Sequence, residues 1–243
     1  MFRHQGKART FIHNLRLAAL LSLVAGIVNI TGVLALKILT TNVTGHFAFF
    51  AEEIMRKDYA IAITFLVFTL CFLFGSFTAN TIVEIVLQKR PRLAHVVPIA
   101  LEIIILTSIA LCFQTSSIYN LHGKVEAFLL LFAMGIQNSL VTKVSQSTVR
   151  TTHLTGLFTD LGIELSQLFF YKKPEQQTKL KSNIYLRLSI ITFFFIGCVI
   201  GGFVYSYLQI KTLLIASAVL IIALFYDYLR LKLFAITRKT MEL

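Results

Sequence analysis

Apolar runs of membrane-spanning length fill most of this 243-residue chain. They lie at about 14–36, 59–87, 95–113, 124–140, 184–208 and 213–233. A helix that crosses the hydrocarbon needs roughly 20 such residues. Hydrophobic residues make up 56% of the sequence and mean hydropathy is +0.78, above the ~45–50% apolar content of soluble domains. The expected fold is therefore an all-α integral membrane protein. Between the first and second runs, and again between the fourth and fifth, lie two shorter apolar segments, 45–56 and 155–170. At about 1.5 Å per residue the first of these is too short to cross, and a re-entrant or partly inserted helix fits both.

The formal net charge of +12 raises nucleic acid as a partner, but the basic residues stand in short loops and tails between apolar runs. That is how orientation signals are distributed, unlike a groove-lining patch, so no nucleic-acid partner is expected. The first 16 residues carry Arg3, Lys7, Arg9 and Arg16, and no small-residue cleavage site closes the run that follows, which reads as an uncleaved span. With the two short helices not crossing, six spans place the N-terminal tail, 88–92, 143–183 and the C-terminal tail in the cytoplasm. The outside then keeps 37–58, 114–123 and 209–211, whose basic residues are few: Lys37, Arg56, Lys57 and Lys211. If the short helices crossed, Lys89, Arg90 and Arg92 would face outward, against the bias.

The sequence also repeats itself. One stretch reads AGIVNITGVLALKILTTNVTGHFAFFAEEI and a later one MGIQNSLVTKVSQSTVRTTHLTGLFTDLGIEL. Pairing Gly26 with Gly135 sets Asn29 opposite Asn138. After a two-residue insertion Thr44 meets Thr155, Gly45 meets Gly156, Phe47 meets Phe158 and Glu53 meets Glu164. Further on, Gly197 and Gly201 answer Gly75 and Ala79, small-residue steps suited to close helix contact. Gly, Asn, Thr-Gly and Glu in one order, twice, indicate an internal repeat. Three spans per half is an odd number, so the halves run in opposite directions. The expectation is six transmembrane helices as two inverted three-helix repeats, each with a short broken helix after its first span. The corresponding division is a cytoplasmic tail 1–13, a first repeat 14–113, an outside loop 114–123, a second repeat 124–235 and a cytoplasmic tail 236–243.

Broken helices at membrane depth must face protein or a watery cavity, because their backbone groups need partners. The candidate substrate-binding residues are therefore Asn29, Thr44, Gly45 and His46 in the first half and Asn138, Thr152, His153, Thr155 and Gly156 in the second. Thr44 is expected to cap the first short helix, and the helix N-termini suit an anion or a carbonyl oxygen. His46 and His153 would add titratable donors. The plainer reading makes the threonines caps, the glycines packing residues and the asparagines helix ties. Glu53, Asp160, Glu164 and Glu102 are candidates for proton coupling, since carboxylates within membrane segments are functional by default. Glu52 and Glu84, near segment ends, read as interfacial acids, and Asp227 beside Tyr226, Tyr228 and Arg230 as an interfacial anchor.

Cys71, Cys112 and Cys198 lie in apolar runs without metal spacing, so no metal and no cofactor are expected. The chain has no GxxxxGK[ST], HExxH or GxSxG signature, and it is not expected to be an enzyme. Its expected partners are membrane lipids and a small polar or anionic solute, with a homo-oligomer left open.

At these residues the chain resembles the YoaK-like family of six-span bacterial membrane proteins, a domain of unknown function (1275). The family pattern has an Ala-Gly-x-x-Asp start and a Thr-Gly-Asn step. Its second half has Gly-x-x-Asn followed by Thr-Thr-x-x-Thr-Gly. Ala25, Gly26, Thr44, Gly45, Gly135, Asn138, Thr151, Thr152, Thr155 and Gly156 match it, and the resemblance covers roughly 15–235. Asn29 stands where the family has Asp, and His46 where it has Asn. If that Asp couples transport to protons, this chain is either uncoupled or uses Glu53, Glu164 or His46 instead. The resemblance implies a multi-pass protein of the bacterial inner membrane and implies no substrate. The expected function is a small-solute transporter or permease with a pseudo-symmetric site at the paired Thr-Gly breaks. An integral membrane enzyme acting on a lipid or membrane-embedded substrate, or a structural membrane subunit, are the alternatives. Equivalent polar residues from both halves in one cavity would favour transport. A one-sided cluster open to lipid would favour an enzyme, and tightly packed breaks a subunit.

Overall fold

The computed structural model describes residues 11–90, 93–113, 121–145 and 149–226. The described residues are mostly helical and contain no strand. Helix α1 (Phe11–Leu36) stops where Lys37 takes a φ of 60°. Its backbone N–H returns to the Val33 carbonyl, and that of Ile38 to Gly32. The link that follows leads to Asn42, whose side chain accepts from the Gly45 N–H at 3.0 Å and caps α2 (Val43–Met55). Thr44 was the expected cap; the carboxamide two residues earlier takes that role instead, and Thr44 is exposed. Helix α2 ends in a Schellman closure. Lys57 at φ 64° donates to Ile54, and Asp58 donates to Glu53. Asp58 then turns its carboxylate to the Ile61 N–H at 3.1 Å and caps α3 (Tyr59–Lys89).

The second half begins after α4 (Val96–Cys112). Helix α5 (Leu121–Ser145) is longer at both ends than its apolar run, and α6 (Leu154–Phe170) follows. Helix α7 (Pro174–Leu208) begins ten residues before the apolar run 184–208 that marks it in the sequence. Pro174 at its start and Glu175 in its first turn suit a helix N-terminus. Leu180 and Ile184 pack against Leu161, so this polar-looking stretch has one apolar face to bury. A 3-10 turn, Gln209–Thr212, bends the chain into a last helical segment, α8 (213–226). The tail expected at 236–243, most of the loop at 114–123, Pro91, Arg92 and Asp227 lie outside the described residues.

Two helix pairs carry the packing, α1 with α7 and α3 with α5. Each pair runs parallel. Phe11 meets Tyr185 and Gly26 meets Phe194 and Cys198. In the other pair Phe68 meets Phe128, Gly75 meets Phe132, and Lys143 reaches Glu84. The crossing itself occurs twice in the same form. A Cβ on Gly26 would overlap the Phe194 carbonyl, and one on Gly135 the Phe72 carbonyl. A Cβ on Gly197 would strike Leu23, and one on Gly75 Phe132, again at the carbonyl. Cys198 donates to the Gly26 carbonyl at 3.4 Å, where Ser76 donates to Gly135 at 3.0 Å. Glycine lets backbone meet backbone here, which is how helices gain contact area in lipid. Helices α1 and α5 form the interior and are joined by a bond of 2.8 Å from the Gln137 amide to the Leu21 carbonyl. Helices α3 and α7 turn Leu73, Phe74, Phe77, Phe195 and Phe203 outward. Among the described residues four helical stretches are long and apolar enough to cross a membrane: Phe11–Leu36, Tyr59–Lys89, Leu121–Ser145 and Pro174–Tyr226. Helix α4 is apolar but shorter. Large apolar side chains exposed on such helices are expected in a protein whose solvent there is lipid.

Candidate functional site

The two helix breaks are built alike at their inner ends. Thr41 donates its hydroxyl to the Asn29 carboxamide at 3.0 Å, and Thr152 donates to Asn138 at 2.7 Å. Each bond ties the chain after the break back onto the helix before it. Just ahead of these threonines, Thr40 and Thr151 are fully buried, and their hydroxyls have no hydrogen-bond partner among the described residues. Asn29 and Asn138 thus act here as ties from helix to link.

Beyond that point the halves diverge. Asn42 caps α2 through its side chain, while His153 stands at the α6 N-terminus without a side-chain capping bond. His46 is not among the residues that line the cleft at His153. It is buried, its Nε2 lies 2.9 Å from the Leu39 carbonyl, and its ring packs on Phe65 and Phe68. Burial pushes the pKa of this imidazole, on the 13-residue α2, below its ordinary 6.5, with the Leu39 bond pulling the other way. Phe49, four residues after Gly45, lies against Phe65, ten residues before Gly75, with ring centroids 5.3 Å apart.

In the second half the same register holds ions. Asp160, four residues after Gly156, meets Arg187, ten residues before Gly197, at 2.8 Å. Arg187 also grips Glu164 in two bonds, from Nε at 2.7 Å and from Nη2 at 3.0 Å. Such a two-point guanidinium–carboxylate pair fixes geometry as well as charge. Glu53, the counterpart of Glu164, has no such partner on α3 and instead meets Arg56, at the C-cap of its own helix, at 3.2 Å. Beside the ion cluster opens a cleft of about 400 Å³, lined by Arg150, His153, Gly156, Leu157, Asp160, Asn183, Leu186 and Arg187.

Of the sequence-derived candidates, the cleft gathers His153, Gly156 and Asp160, with Glu164 just behind Arg187. Thr44 and Thr155 are exposed, and Gly45 sits under the Asn42 cap. Glu102 is fully buried in α4, and neither of its carboxyl oxygens has a partner among the described residues. Glu126 in α5 is in the same position and was not singled out from the sequence, although an acid inside an apolar run is itself the signal. Arg187, too, was missed as a site residue; a lone arginine within the run 184–208 marks it. Among the described residues no group of three or more His, Cys, Asp or Glu is placed to hold a metal ion.

The UPF0700 transmembrane protein YoaK of Bacillus subtilis (strain 168) is 28% identical over 180 residues, which cover 73% of this chain and 78% of that protein. No solved structure matches. The family described as "Protein of unknown function (DUF1275)" matches residues 17–226, nearly the whole of the helical frame, and the chain belongs to that family of membrane proteins.

Proposed function

We propose that this protein is a small-solute transporter or permease of the bacterial inner membrane, with six crossings and both termini in the cytoplasm. The observation that carries this reading is the doubled frame. The same glycine crossing joins α1 to α7 and α3 to α5, and the same Asn–Thr tie sits at each helix break. Two such units in opposite orientation are the architecture in which alternating access is built, with the solute held at interrupted helices. The stretch Pro174–Tyr226, broken where Gln209 takes a φ of 50°, is long enough to supply two crossings. Helix α4 would supply the remaining one. On this topology α2 and α6 enter from opposite faces, and the cleft at α6 opens toward the cytoplasm.

A second reading has its own support. The polar cluster is one-sided, with His153, Asp160 and Arg187 in the second half against phenylalanines in the first. One-sidedness suits an integral membrane enzyme acting on a lipid or membrane-embedded substrate.

Two measurements test the transporter reading. Single cysteines at Lys57 and Lys179 should react with an impermeant reagent from opposite sides of the membrane; reaction of both from one side would end the six-span topology. Proteoliposomes should show solute-selective swelling or uptake across a panel of small anions and zwitterions, lost in Gly156→Leu. Turnover of a lipid without solute flux would favour the enzyme.

A further inference from the structure

Asp160, Glu164 and Arg187 close the α6–α7 corner with an ion cluster. At the matched place between α2 and α3 two phenylalanine rings serve, and apolar contact is the cheaper closure. Charges held beside a cleft instead of apolar groups therefore call for a use. We propose that the cleft binds a small oxyanion, a carboxylate or phosphate group, with Arg150 and Arg187 as its charged partners and His153 and Asn183 as polar neighbours.

A space of about 400 Å³ lies within the range of small-molecule sites. Arg150 lines it, is exposed, and makes no ion pair or hydrogen bond among the described residues, so its charge is open to a ligand. Arg187 carries five N–H donors. Three are engaged, two by Glu164 and one by Asp160, which leaves two for a group in the cleft. Glu164 is buried behind the guanidinium and holds it in place, while Asp160 has its side chain half exposed. The cleft thus presents two cations and one carboxylate, and that carboxylate is already committed to one of the cations. The uncapped start of α6 adds a weaker attraction of the same sign. An entering oxyanion competes with Asp160 for Arg187, whereas a zwitterion would need Asp160 for its ammonium.

The site stands on the cleft and does not require transport. The experiment is isothermal titration calorimetry on the purified full chain in detergent micelles, at constant ionic strength made up with sodium chloride. The probes are sodium acetate, sodium phosphate and glycine. Saturable binding of acetate or phosphate is expected, and the stronger of the two tells carboxylate from phosphate chemistry. Arg150→Gln should weaken it by about tenfold or more, the scale of one lost charge-assisted contact. Asp160→Asn should tighten it by removing the competitor, and Lys37→Gln, at the first break, should leave it unchanged. No saturable binding of either anion, or binding indifferent to Arg150→Gln, would overturn the proposal. So would glycine binding that Asp160→Asn abolishes. Because no flux is read, a protein that binds acetate but moves nothing keeps this site and loses only the transport reading.

Discussion

The corner between α2 and α3 and the corner between α6 and α7 share a frame and differ in chemistry. Both short helices follow an Asn–Thr tie, and both pack on a long helix whose glycine crosses a partner's backbone. At corresponding positions one corner holds Phe49 on Phe65, the other Asp160 on Arg187. The difference teaches which residues make the frame and which are free to change. The crossing glycines cannot gain a side chain without moving backbone. The side chains between the helices need only fill or pair, so one corner has settled on aromatic packing and the other on a charged, open cleft.

The largest effects should come from the shared frame. Gly26→Ala and Gly135→Ala each set a Cβ on a carbonyl oxygen of the facing helix, a misfit that should cost about 3 kcal/mol, the upper range for overpacking. Thermal unfolding in detergent would show it, and costs that differ by more than about 1 kcal/mol would mean the two crossings are not equivalent.

Next come the corners themselves. Arg187→Met leaves the buried Glu164 without its partner. A fully buried broken pair costs about 3–5 kcal/mol, and the partial exposure of Arg187 brings the expected loss to about 2 kcal/mol. Phe65→Leu should cost only about 1 kcal/mol, since an apolar replacement still fills the space. The combined change Asp160→Phe, Glu164→Leu and Arg187→Phe copies the aromatic corner into the second half. It should recover most of the stability lost in Arg187→Met while acetate and phosphate binding stay absent. If the combined variant is no more stable than Arg187→Met, the ions are a structural requirement and the two corners are not interchangeable.

The caps give a smaller contrast. Asn42→Ala should destabilise by about 1 kcal/mol, the usual worth of an N-cap side chain, and His153→Ala by far less, because His153 makes no capping bond. Equal losses in unfolding would mean that His153 contributes through the cleft.

The smallest effect is a pH dependence at the first corner. The folded pKa of His46 lies below its ordinary value of 6.5 because of burial. Above that pH the ring is neutral in both folded and unfolded chains and contributes no slope. As pH falls below 6.5 the unfolded chain takes up the proton more readily, so stability is lost. His46→Gln, which can keep a bond to the Leu39 carbonyl, should lose less stability between neutral and mildly acidic pH. Identical slopes would show that the ring does not titrate differently on folding.

Much of this layout was legible before any coordinates. Apolarity is a local property, so the long helices followed from runs of residues, and the paired Asn, Thr-Gly and Glu positions marked both breaks. Local chemistry also misled in places. Thr44 had the right side chain for a cap, but the helix begins early enough for Asn42 to reach the Gly45 N–H first. The first ten residues of α7, 174–183, fall outside the apolar run because their charges hide the single apolar face that Leu180 and Ile184 turn to α6. Arg187 passed unnoticed because its carboxylate partners lie 23 and 27 residues away, on another helix. His46 and His153 looked equivalent by position, and only packing separated a ring sealed among phenylalanines from one at a cleft.

By itself the sequence determined a helical membrane protein with two interrupted helices, because hydrophobic length and helix breaking depend on neighbours along the chain. It also determined that a motif of glycine, asparagine and threonine occurs twice. The tertiary structure decided what those residues touch: glycines against carbonyls, Asn29 and Asn138 against the threonines beyond the breaks, Arg187 between two acids. Contacts of that kind depend on distance in space, and side chains that match along the chain can face an aromatic ring in one half and an open, charged cleft in the other.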